Sequence, residues 1–327
     1  MTWTSTRILS LSAEETTFAR RGFPIGDSAA QSRLEKIGGT FVRGFNAALE
    51  ERDPARLASR LSEIELEFRG FAFEGAAMAM GLLDCLTPWN KRRLQTFLKG
   101  PGDAHSYMVH VGAGWALARL RRNVSRFLSR IDPLLGWLAV DGYGFHEGYF
   151  HWRRYFEERT PPKGLSGYAR RVFDQGLGRS LWFVGCADVA RIPMTIASFT
   201  SSRQADLWSG IGLACAYAGG ASREQMEMLL PACGPFRTHL AQGVAFAAKT
   251  RERAGNRAPH TDLASEVFCG VSAEEAAHIT DLALGNLPAD AEEPSYEIWR
   301  RRIQSHFAGA PRSYEQESPT LRGRAGL

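Results

Sequence analysis

Apolar residues in this chain recur at helical spacing. Leu34, Ile37, Phe41, Phe45 and Leu49 fall on one face of a helix, and Leu57, Leu61, Ile64 and Phe68 on another. Alternation with a period of two is hard to find over four or more residues. Helix starts are marked by Asp53-Pro54 and Asp132-Pro133, each an N-cap before a proline at the first helical position. Ser222-x-x-Gln225 and Ser272-x-x-Glu275 read as capping boxes. Breaks fall at Gly100-Pro101-Gly102, Pro161-Pro162, Gly219-Gly220, Gly255-Asn256 and Pro288. The pattern predicts an all-α fold, a compact array of packed helical hairpins of about a dozen helices with under about 5% strand.

Pairs of small residues overlie this pattern, at Gly70-x-Ala72, Gly112-x-Gly114, Gly142-x-Gly144, Gly185-x-Ala187, Gly210-x-Gly212 and Gly243-x-Ala245. Their average interval, near 35 residues, matches one helix pair per repeat, although the steps are uneven. Glycine inside a helix costs about 1 kcal/mol relative to alanine, so a compensating need is expected: close helix contact or room for a ligand.

The 327 residues, 44% hydrophobic and 23% charged, suit one globular domain with a sizeable core. We assign residues 1–310 to it, with a hinge candidate near 160–165, and expect a disordered or loosely packed polar tail over 311–327. The net charge of +5 is scattered, so no nucleic-acid partner is expected, and Lys91-Arg92-Arg93 and Arg300-Arg301-Arg302 read as solvated helix faces. Five cysteines without C-x-x-C spacing read as buried free thiols suited to a reducing cytoplasm. The N-terminus lacks an apolar signal segment. The longest uncharged stretch, 207–222, is too short to span a membrane and reads as a buried core helix.

The densest chemistry lies in the run from Asp141 to Trp152, where Asp141, Tyr143, His146, Glu147 and Tyr149 stand among aromatics and glycines. A buried carboxylate there would have a raised pKa and could act as a general acid. The competing reading is a polar network that fixes helix packing. Glu74-Gly75 echoes Glu147-Gly148, so two carboxylates could approach one pocket, or Glu74 could pair with Arg69. Asp141, His146, Glu147 and Glu74 are the candidate catalytic groups. Candidate substrate contacts are Trp115, Tyr143, Tyr149, Arg179, Trp182 and Trp208, aromatics suited to a flat or polyunsaturated ligand and an arginine suited to a carboxylate or thioester; the plainer reading is core packing. Asp188/Arg191 and Arg203/Asp206 are spaced as i, i+3 ion pairs.

His146 and His151 lie five residues apart, as do His105 and His110. That sets each pair about 140° apart around a helix, unlike the i, i+4 spacing of a zinc helix, so no metal is expected. No phosphate-binding glycine loop, G-x-S-x-G elbow or aspartate-rich terpene-cyclase motif occurs, and no organic cofactor is expected.

Several segments taken together carry a resemblance. They are Ala19–Phe23, Arg69–Met78, Val111–Leu120, Asp141–Phe150, Gly176–Trp182, and Asp206–Gly210 through Tyr217–Gly220. On these the chain resembles the UnbL-type accessory family, domain-of-unknown-function family 1702, of the conserved gene cassette for enediyne biosynthesis. The resemblance covers nearly the whole chain, from about residue 5 to about residue 305. It implies a role in maturing a polyene from an iterative polyketide synthase into the enediyne core. The partners it implies are that polyene or polyketide small molecule and other cassette proteins. The alternative function is a non-catalytic helical-repeat scaffold or carrier that organises those proteins.

Overall fold

A computed structural model describes residues 9–87, 92–288 and 292–309. It is 74% helical, with 16 α-helices and no strand among the described residues. In chain order these are α1 (Phe18–Arg21), α2 (Ser28–Glu50), α3 (Pro54–Ser62), α4 (Arg69–Leu86), α5 (Arg93–Leu98), α6 (Ser106–Arg119), α7 (Val124–Leu128) and α8 (Trp137–Phe150). They continue as α9 (Tyr168–Val184), α10 (Arg191–Ala197), α11 (Ser201–Ala218), α12 (Arg223–Cys233), α13 (Arg237–Ala254), α14 (Pro259–Cys269), α15 (Ala273–Leu284) and α16 (Ser295–Ala308).

Local chemistry sets most of the boundaries. Asp27 caps α2 through the Ala30 N–H, and Asp53 caps α3 through the Ala55 and Arg56 N–H groups. Ser222 and Gln225 form a full capping box at α12. Ser272 caps α15 through the Glu275 N–H, but the return bond from the Glu275 side chain is not formed. Asp132 accepts from the Leu134 and Leu135 N–H groups and closes a turn, while the helix itself begins later, at Trp137. The uncharged stretch 207–222 supplies the second half of α11 and is buried along most of its length.

Seven long helices, α2, α4, α6, α8, α9, α11 and α13, follow one another side by side, with shorter helices or loops returning the chain between them. Neighbouring long helices run parallel, because paired residues advance together along both. Arg171 reaches Asp206 and Gln175 meets Ser209; Ser209 meets Gln242 and Tyr217 meets Arg251. The row curls on itself: Arg33 of α2 donates to the Ala218 carbonyl at the end of α11, and Phe71 of α4 packs edge-on to Tyr217 at 5.1 Å.

Glycine sets the spacing of the row. A Cβ on Gly142 would stand 2.0 Å from the Val111 carbonyl oxygen of the preceding helix, and one on Gly144 would stand 2.2 Å from that of Phe173 on the following helix. Residues i and i+2 point about 200° apart on a helix, so one G-x-G serves both neighbours. The same two contacts recur at Gly112/Gly114, Gly176/Gly178 and Gly210/Gly212. Backbones this close allow Cα–H···O=C contacts, worth roughly 0.5–1 kcal/mol each. The repeat therefore runs through glycines 75, 112, 142, 176, 210 and 243, in steps of 30 to 37 residues. Two of the small-residue pairs read from the sequence fall outside it. Gly185-x-Ala187 lies in the turn after α9, and Gly70 gives room to the Tyr217 hydroxyl. The space opened by Gly142, Gly144 and Gly148 is filled by neighbouring backbone and by the Leu177 and Ser180 side chains.

Candidate functional site

Inside the curl lies a cavity of about 530 Å³. That is within the range of small-molecule sites. Its walls are apolar and aromatic: Phe41 and Phe45 from α2, Phe71 and Met78 from α4, Trp115 from α6, Phe145 and Tyr149 from α8 and Phe183 from α9. Its mouth is bordered by Leu9, residues 10–12, Glu15, Thr16, Arg21, Arg119 and Phe150. The segment at the mouth is tied down by a reciprocal pair of hydrogen bonds between Leu11 and Asn46, and by Tyr149 donating to the Thr16 carbonyl.

Two charged side chains reach the cavity from buried positions. Glu74 is 3% exposed and Arg179 is 4% exposed. Trp115 Nε1 donates to Glu74 Oε1 at 3.0 Å, and Arg179 Nη1 donates to Asp141 Oδ1. Gln175 supplies the other Asp141 oxygen with a donor at 2.8 Å. Burial pushes the Glu74 carboxyl up to about 7, against the opposing charge of Arg179 and the Trp115 hydrogen bond. A carboxylic acid of this kind exchanges a proton near neutral pH, and here it does so among aromatic rings.

The sequence-derived candidates divide in two. Glu74, Trp115, His146, Tyr149 and Arg179 line the cavity. Asp141 stands behind Arg179 as its counter-ion, outside the lining. Glu147 does not join Glu74; it accepts from the Tyr155 hydroxyl at 3.0 Å and contacts His146 Nδ1 at 3.3 Å. Burial raises the Glu147 carboxyl, but His146, His151 and Tyr155 outweigh it and hold it below the ordinary range. Tyr155 sits in a π-helical turn, Arg153–Glu157, that follows α8. Tyr143 packs near Phe173, Trp182 donates to the Gly219 carbonyl, and Trp208 is core.

Several pairings differ from those expected. Arg69 bonds the Ser62 carbonyl and not Glu74. Arg203 pairs with Asp174, while Asp206 is taken by Arg171 and Arg300. Asp188 and Arg191 do pair, at 3.7 Å. Arg300, expected on a solvated face, is fully buried, and Arg93 of the other basic run pairs with Asp84. Lys91 lies outside the described residues. His105 stacks on Phe73, and His110 bonds the Ser106 carbonyl. Among the described residues no group of three or more His, Cys, Asp or Glu side chains is placed to hold a metal, and no helix is long and apolar enough to cross a membrane.

Sequence reasoning missed Phe41, Arg21, Arg119 and the segment at the mouth. Phe41 was legible only as one member of an apolar helix face. The others carry no local signal, because the curl of the row alone brings them together.

Fold and site together define an all-α protein of parallel, glycine-packed helices around an aromatic cavity that holds a carboxyl and an arginine. Residues 1–307 match the family model described as protein of unknown function (DUF1702), and the chain belongs to that family. No curated protein and no solved structure matches it.

Proposed function

We propose that this protein binds a polyene released by an iterative polyketide synthase and assists its isomerisation or cyclisation on the way to an enediyne core. The observation that carries this reading is Glu74, a buried carboxyl shifted to about 7 beside Arg179 in a cavity whose walls are mostly aromatic and aliphatic. A conjugated chain gains planar contact with Phe41, Trp115 and Phe145. In an isomerisation, the Glu74 carboxyl gives its proton to one carbon and the carboxylate takes a proton from another. One C–H bond forms, one breaks, the double bonds shift, and no electrons are gained or lost. Any alkyne would need a separate oxidation by another catalyst.

The purified protein is incubated with the synthase product in deuterated water. A changed polyene absorption spectrum and deuterium in the recovered chain are expected, both abolished in Glu74→Gln. An unaltered, deuterium-free polyene with the wild-type protein would sink the reading. A second reading, a helical-repeat scaffold for other pathway proteins, draws on the packing of Asp141 and Glu147 into internal networks outside the cavity. It is favoured if pathway proteins co-purify with the chain while the polyene is neither bound nor changed.

A further inference from the structure

Arg179 uses Nη1 on Asp141, and its Nε and Nη2 make no hydrogen bond to any described residue although the side chain lines the cavity. Glu74 is similar: Oε1 takes the Trp115 N–H, and Oε2 has no donor among the described residues. The mostly apolar cavity therefore offers unused hydrogen-bonding groups on both of these buried side chains. Charge decides what can use them. Asp141 already balances Arg179, so a further anion at this depth would have no counter-ion. The groups facing Glu74 are Trp115 from α6, Asp141 from α8, Arg179 from α9 and Tyr217 from α11, and Arg179 is the only cation among them. A bare hydrocarbon end would instead strip water from the guanidinium and give nothing back.

We infer that the ligand is an uncharged conjugated chain that enters oxygen first, its terminal carbonyl or hydroxyl bonded by Arg179 and, for a hydroxyl, also donating to Glu74. This rests on the polyene reading above and specifies the end group of the polyene. A charged carboxylate end is disfavoured although an arginine lines the site, because that arginine is already neutralised.

The test uses three fluorescent probes on the full-length protein: parinaric acid, the corresponding alcohol, and the hydrocarbon diphenylhexatriene. Near pH 8 the alcohol is expected to bind at least about tenfold more tightly than the acid, and more tightly than the hydrocarbon. The gap between acid and alcohol should close near pH 5, as the acid takes up its proton. Asp141→Asn keeps the shape of the pair and frees the charge of Arg179, so acid affinity should rise about tenfold with little change for the alcohol. Acid binding as tight as alcohol at pH 8 overturns the inference and leaves the polyene reading standing. So does an unchanged preference in a folded Asp141→Asn; if that variant fails to fold, the wild-type comparison decides alone. Failure of all three probes to bind overturns both readings.

Discussion

The two halves of the helix row share one packing rule and differ in what fills the space it encloses. In the second half, the residue just before each repeat glycine joins a buried chain of hydrogen bonds: Gln175, Ser209 and Gln242. Arg300 of α16 closes this chain on Gln242 and also takes Asp206 and Glu297. In the first half the equivalent residues are Glu74 and the apolar Val111, α16 touches only the start of α6 through Trp299 on Tyr107, and the enclosed space remains a cavity. Asp141 is where the two regimes meet, bonded to Gln175 on one side and Arg179 on the other. A repeat can thus be uniform in backbone and divided in purpose, with polar side chains fastening one half and leaving chemistry to the other.

The comparison breaks most severely at Arg300. Arg300→Met leaves Asp206 and Glu297 short of a buried counter-charge and should cost about 3–5 kcal/mol in urea unfolding. A loss under about 1 kcal/mol would show that the second half is not fastened by this residue.

Glu74 should show the reverse sign. Its folded pKa, about 7, stands above the ordinary 4.5, so the folded state holds the proton more tightly than the unfolded chain. Its effect is absent below the unfolded value, and stability falls as pH rises from about 4.5 to about 7. Glu74→Gln should therefore match the wild type near pH 4.5 and exceed it by up to about 3 kcal/mol near pH 8. A variant less stable than the wild type at pH 8 would place Glu74 with the fastening groups.

The smallest expected effect separates repeat glycines from an ordinary one. A Cβ at Gly176 would lie 1.9 Å from the Asp141 carbonyl, whereas one at Gly39 meets nothing within 4 Å. Gly176→Ala should cost about 2–3 kcal/mol by overpacking, and Gly39→Ala should gain about 0.5–1 kcal/mol. Equal melting temperatures for the two variants would refute the spacing role.

The helices and their all-α character were legible because amphipathic period and capping residues act locally. The repeat was legible in outline and at Gly112, Gly142, Gly210 and Gly243, but its members Gly75 and Gly176 were not. Gly185 and Gly70 look like Gly176 and Gly75 until the helices are laid side by side. At the site, the run around Asp141 is dense in chemistry, yet neighbours in sequence face different ways: His146 turns to the cavity and Glu147 to Tyr155. Of the two ion pairs read from the spacing, Asp188/Arg191 forms, and Arg203/Asp206 was misread for the same reason. Arg203 and Asp206 have the spacing of partners, but Asp174 and Arg300 on other helices offer buried, fully bonded alternatives.

Parallel neighbours also make the row of seven long helices electrically one-directional. Each long helix carries roughly half a positive charge at its start and half a negative charge at its end, and side-by-side parallel helices add these where antiparallel ones would cancel them. The cavity mouth lies towards the ends, beside the last residues of α6 and α8, Arg119 and Phe150. Despite a net charge of +5, the backbone there repels an approaching anion, and Arg119 and Arg21 stand at the rim where that repulsion is softened. Which end of a long molecule arrives first is then biased by the field of the peptide groups before any side chain is touched.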